Sequence, residues 1–79
     1  MAGMETKGKP ATMGRRLAAH RALLDLSQTE AAERAGITQA YLSQLENDKA
    51  ISPPLNTIAK LAEVYGVSID YLVSGQAAA

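Results

Sequence analysis

The chain contains no cysteine, so neither a disulfide nor a thiolate metal site can brace it. It has no Phe and no Trp, and only three Tyr. Its core must therefore come from Leu, Ile, Val and Ala. There is one His, with no second His or Cys to complete a metal site. Neither metal nor cofactor is expected, and nothing in the chain suggests an enzyme. No apolar run approaches the ~18 residues that a membrane span needs. The opening stretch "MAGMETKGKPATM" lacks an apolar h-region, which argues against a secretory leader. A cytoplasmic protein without membrane association is expected.

There is no excess of charge either. Eight basic residues balance eight acidic ones. A zero sum argues mildly against nucleic-acid binding, but the distribution is uneven. Residues 1–24 carry Lys7, Lys9, Arg15, Arg16 and Arg21 against Glu5 alone. The remainder is mildly acidic. With 79 residues there is room for one small domain, marginal as a monomer. A hydrophobic fraction of 47% suits a folded chain.

Helix punctuation is dense. Residues 1–12 read as a mobile basic arm, 13–74 as the domain and 75–79 as a short tail. Thr12 can cap a first helix whose packing side holds Leu17, His20, Arg21 and Leu24, and Asp25 ends it. "SQTE" at 27–30 is a capping box that opens a second helix, which Gly36 closes at about Ala35. Thr38 caps a third helix from Gln39 to about Asn47. Two prolines set the start of a fourth, with Leu55, Ile58, Leu61, Ala62 and Tyr65 as its buried stripe. Gly66 ends it. Ser68 caps a short fifth helix with Asp70 in its first turn. No strand pattern is present, so the fold class is all-α.

Two short helices joined by a Gly-containing turn suggest a helix-turn-helix made by helices 2 and 3. Such a unit makes restrictive demands. Its fifth position must be small, here Ala32, and its ninth must accept a left-handed backbone, here Gly36. Inward positions must be apolar, here Ala31, Ala35, Ile37, Leu42 and Leu45. All seven positions comply.

The third helix then poses a question. At about 100° per residue, Gln39, Ala40, Ser43, Gln44 and Asn47 share an arc of roughly 140°, opposite Tyr41, Leu42 and Leu45. A neutral rim of amides and small groups suits the major groove. A Gln amide offers a donor and an acceptor to a base edge, as in bidentate contact with adenine, and Ala40 suits a thymine methyl. Taken alone, Gln39 and Gln44 would read as solvated surface; the surrounding template reverses that reading.

"LSQTEAAERAGITQAYLSQLEN", with "GVSIDYL" near the end, resembles the DNA-binding domain of the phage Cro/C1 repressors and the wider Xre-like regulators. The resemblance covers roughly residues 13–75. It implies a five-helix, lambda-repressor-like domain that dimerises and binds a double-stranded operator with helix 3 in the major groove. It also implies roles for residues. Gln39, Ala40, Ser43 and Gln44 would face bases. Gln28, Thr38, Asn47 and Lys49 would contact the phosphate backbone. Arg21 and Glu46 would form an ion pair joining helices 1 and 3. Asp48 departs from the family's usual Gly, and the loop after it is about one residue longer. Ala31 and Ala35 are smaller than usual, and His20 replaces a common apolar residue.

Lys7 and Lys9 read first as a solvated tail, with a DNA-gripping arm as the alternative. Tyr71, Leu72 and Val73, with Ile51 and Leu55, are candidates for a two-fold contact in a homodimer. The expected function is a sequence-specific transcriptional repressor. The alternative is an antitoxin-type protein that neutralises a protein partner and autoregulates through the same domain.

Overall fold

A computed structural model of the chain describes residues 12–76. Lys7, Lys9 and residues 77–79 lie outside the described residues. The elements are α1 (Met13–Leu23), α2 (Gln28–Ala35), α3 (Gln39–Glu46), α4 (Leu55–Tyr65) and α5 (Ile69–Ser74). No strand occurs among the described residues, so the expected all-α, five-helix architecture is observed.

The boundaries follow local chemistry. The Thr12 hydroxyl accepts from Arg15 N at 3.1 Å, and Asp25 ends α1 with φ of 60°. In the capping box, Glu30 N donates to Ser27 Oγ at 3.0 Å and Ser27 N donates to Glu30 Oε1 at 2.9 Å. That backbone N–H, then the Ser27 hydroxyl, holds the Glu30 carboxyl below its ordinary range. The contribution is present above the unfolded value and lost as pH falls through the folded one. Gly36 takes φ of 73° although an added Cβ would meet nothing within 4 Å, so the constraint there is conformational rather than spatial.

Leu17, Leu42, Leu45, Leu61 and Leu72 are the largest fully buried side chains. Ala31, Ala32 and Ala35 are buried too, and α2 packs on α3 and α4 through them. Three expectations about packing need correction. Leu24 is half-exposed because α1 has ended before it, and Leu26 enters the core instead. Leu55 stands at the first position of α4 and is 66% exposed, so it is not part of the buried stripe. Leu72 is fully buried between α5 and its neighbours, so it cannot form a surface contact with a second copy.

The fifth helix is held by polar contacts that cross the whole chain. Arg16 is buried, and its Nε donates to Leu72 O at 2.9 Å while Nη2 donates to Val73 O at 3.1 Å. A cation at those carbonyls complements the C-terminal end of α5. His20 Nε2 lies 3.0 Å from Tyr71 Oη, with the rings edge-to-face at 5.1 Å. His20 is thus a packing residue between α1 and α5.

Tyr65 is buried, and its hydroxyl makes no hydrogen bond to the described residues. Burial, followed by the nearby Glu46 charge, pushes its phenol up to about 12. An unfolded phenol ionises near 10. This contribution, about 2–3 kcal/mol, is therefore complete below pH 10 and disappears as pH rises through 12. Tyr65→Phe is expected to flatten that alkaline loss in denaturant titrations. At neutral pH it should gain about 1 kcal/mol, because the unpaired hydroxyl is removed.

Candidate nucleic-acid interface

The third helix shows two faces. Leu42, Leu45 and Glu46 are buried, whereas Gln39, Ala40, Gln44 and Asn47 are exposed and Ser43 is half-exposed. Helix α3 is seated by its apolar residues, and its neutral rim stays open to solvent. The Thr38 hydroxyl accepts from Tyr41 N at 3.1 Å and keeps its own proton to donate outward.

Behind the rim lies a chain of hydrogen bonds. Arg21 Nε donates to Glu46 Oε2 at 2.7 Å, and Nη2 donates to Glu46 Oε1 at 3.0 Å. Such a two-pronged geometry is the strong form of the pair. The Glu46 bond raises the Arg21 pKa, against the opposing effect of burial. Arg21 Nη1 also donates to Leu26 O at 2.9 Å, tying α1 to the residue before the capping box. Gln28 Nε2 donates to the same Glu46 Oε1 at 2.9 Å. Gln39 Nε2 donates in turn to Gln28 Oε1 at 2.6 Å. Gln28 and Gln39 are the first residues of α2 and α3. The two helix starts are thus linked side chain to side chain.

At the other end of α3, Asn47 Nδ2 donates to Ser43 O at 2.9 Å, turning the amide back along the helix. Lys49 is exposed, with its N–H bonded to Gln44 O at 2.8 Å. Asp48 has φ of 58°, the conformation that a Gly would supply. Its carboxylate also accepts from Thr12 Oγ1 at 2.6 Å and from Gly14 N at 2.9 Å. Asp48 therefore takes up a backbone shape that favours Gly while adding an anchor to the start of α1. The loop after it contains Ser52, also left-handed at φ of 47°, and carries Ile51 at 91% exposure.

Sequence reasoning missed four contributors. Gly14, in the first turn of α1, lies against Leu45 O and Glu46 O. A Gly there costs a helix about 1 kcal/mol, which was the available signal of a close approach. Arg16 and the Asp48 anchor gave no local signal. The Gln28–Gln39 bond joins residues 11 apart and needs the tertiary structure to appear. The basic N-terminal end also proves misleading, because Arg16 and Arg21 turn their charges inward. Among the described residues, no group of His, Cys, Asp and Glu is placed to hold a metal, and no helix is long and apolar enough to cross a membrane.

The helix-turn-helix family model matches residues 17–72. The chain belongs to this family of DNA-binding transcriptional regulators, of Cro/C1 type. It is 43% identical over 61 residues to the HTH-type transcriptional regulator PuuR of Escherichia coli K12, covering 77% of this chain and 32% of PuuR. It is 39% identical over 62 residues to the regulator ImmR of Bacillus subtilis 168, covering 78% of this chain and 48% of ImmR. The chain thus spans a third to a half of these curated relatives. Among solved structures, the P22 c2 repressor bound to a synthetic operator superposes with a TM-score of 0.78 at 28% identity, covering 82% of this chain and 97% of that one. The biofilm regulator SinR in complex with DNA gives 0.73 at 31% identity, covering 77% and 97%.

Proposed function

We propose that this chain is the operator-reading domain of a transcriptional repressor, with residues 13–74 as the domain and α3 lying in the major groove. The observation that carries the reading is the exposed neutral rim of α3, anchored by buried Leu42, Leu45 and Glu46. In this reading Gln39, Ala40, Ser43 and Gln44 face base edges. Gln28 and Thr38 contact phosphates at the helix starts, with Asn47 and Lys49 at the far end. The protein works by binding rather than by catalysis, and acts in the cytoplasm on nucleoid DNA. Among the described residues the exposed cations are Arg15, Arg34, Lys49 and Lys60, so few are available to phosphates and the salt dependence of binding by this part of the chain is shallow. Gln44→Ala is expected to fold normally and to lose about tenfold or more in affinity for a selected site. Unchanged affinity in a gel-shift titration would remove the base-reading role.

The reading includes a homodimer on half-sites about 34 Å apart. Ile51 and Leu55, exposed together around the start of α4, and Val73 supply apolar surface for the two-fold contact. Ile51→Asp is expected to shift the sedimentation equilibrium towards monomer and to weaken operator binding. A dimer constant equal to that of the parent chain would assign the contact elsewhere.

A second reading is an antitoxin-type role towards a protein partner. It draws on SinR, which has also been solved in complex with the protein SinI. Stoichiometric capture of a protein, lost on Ile51→Asp while DNA binding persists, would favour it.

A further inference from the structure

We infer that the Tyr41 hydroxyl is a further contact to the operator, donating to a phosphate on the wall of the groove that α3 enters. This contact rests on the proposed reading of α3 as the helix in the major groove.

The three tyrosines of the chain meet different fates. Tyr71 Oη lies 3.0 Å from His20 Nε2. Tyr65 Oη is shut in the core without a partner among the described residues. Tyr41 differs from both. It is half-buried, and its ring packs against the core cluster. Its hydroxyl bonds to no described residue, yet it is not enclosed, so its tip reaches solvent.

The backbone fixes where that tip emerges. Tyr41 lies in the first turn of α3, and its N–H donates to Thr38 Oγ1 at 3.1 Å. At about 100° per residue, Tyr41 stands about 60° from Gln44, at one edge of the rim, and about 60° from Thr38 on its other side. Gln44 is proposed to face a base and Thr38 a phosphate. A side chain between them is aimed at the wall of the groove rather than at its floor. The first turn is also the part of a recognition helix that comes nearest the DNA.

A tyrosine suits this place. Its ring is gripped by the core, so few torsions are left to freeze when the hydroxyl binds. The hydroxyl is uncharged and donates one proton, which a phosphate oxygen accepts. Among the exposed cations Lys49 alone follows α3 closely, so uncharged donors carry much of the grip on the backbone.

Tyr41→Phe removes the hydroxyl and keeps the ring. The test titrates the full chain into a duplex selected from a random-sequence pool, at several salt concentrations. Tyr41→Phe is expected to bind about fivefold more weakly, the effect of one lost hydrogen bond. The bases it selects from the pool are expected to be those of the parent, because a phosphate contact carries no sequence information. Its salt slope is expected to match the parent's, since an uncharged donor displaces no counterion, whereas Lys49→Ala should lower the slope by about one. Replacing one phosphate after another by methylphosphonate locates the contact. At one position the ratio between parent and variant is expected to fall below about twofold. Thermal unfolding of the variant is expected to coincide with the parent's, as the hydroxyl bonds to nothing in the fold. Gln44→Ala tells the two roles apart. If both variants bind like the parent, the reading of α3 fails and takes this contact with it. If Gln44→Ala weakens binding and Tyr41→Phe does not, the contact alone falls. A changed base preference, a lower melting temperature, or a ratio that no methylphosphonate reduces would each overturn the proposal.

Discussion

Arg21→Ala is expected to lower the unfolding free energy by about 3–5 kcal/mol, a large share of what a domain this small possesses. The guanidinium makes both charged bonds to Glu46 and a third to Leu26 O. Removing it leaves a carboxylate with 5% side-chain exposure facing a single neutral donor, Gln28. An uncompensated buried charge is costly because the interior solvates it poorly. The attraction within the pair is not the measure of the loss. Replacing both partners with apolar residues, as in Arg21→Met with Glu46→Leu, should recover much of it. Arg21→Lys should recover little, since an ammonium cannot reproduce the two-pronged geometry. Urea unfolding of the four chains separates these cases. Equal stability of Arg21→Ala and the double apolar variant would show that the buried carboxylate is not the cause.

Gly14→Ala is expected to cost on the order of 3 kcal/mol, a fall of about 10–20 °C in Tm. Helix propensity alone predicts the opposite sign, a gain of about 1 kcal/mol. Space decides between them. A Cβ at Gly14 would lie 2.5 Å from Leu45 O, 2.6 Å from Glu46 O and 2.7 Å from Asp48 Oδ1. Two of these are backbone atoms at the end of α3, which cannot swing aside as a flexible side chain could. To relieve the clash, α1 and α3 must separate, and Asp48 must release Gly14 N. The strain therefore falls on the helix proposed to read DNA. Thermal unfolding followed by circular dichroism measures the loss, and a Tm equal to or above that of the parent would refute the close-approach argument.

These two sites differ in how far they could be read in advance. The Arg21–Glu46 pair was legible through the family resemblance, which supplied the partner that spacing alone does not. Gly14 left only an ambiguous signal, because a Gly in a first turn looks like a weak helix start until the carbonyls of another helix are placed against it. The same division runs through the surface. Leu55 and Leu72 both fit apolar helical positions, yet one is 66% exposed and the other is fully buried. Periodicity places a residue on a side of its own helix. It does not say where the neighbouring helix ends, and α4 is uncovered at its first turn.

Asp48 shows a departure resolved by structure. The family resemblance leads to the expectation of a Gly at this position. In the fold its left-handed backbone does the work of Gly, and its carboxylate holds Thr12 and Gly14 34 and more residues away. Charge misled for a related reason. A cluster of Arg near one end suggested a basic surface, but Arg16 and Arg21 are turned inward to carbonyls and to a carboxylate.

By itself the sequence determined what depends on near neighbours: the caps at Thr12, Ser27, Thr38 and Ser68, the left-handed ends at Asp25 and Gly36, and the neutral side of α3. Each rests on bonds within four residues or on one residue's own φ, so local chemistry suffices. Only the tertiary structure decided which cations stay inside, why Gly14 has no side chain, and which way the Gln28 and Gln39 amides face. Those outcomes depend on groups from 11 to 57 residues apart, and a hydrogen bond or a steric limit between them exists only once packing has brought the helices together.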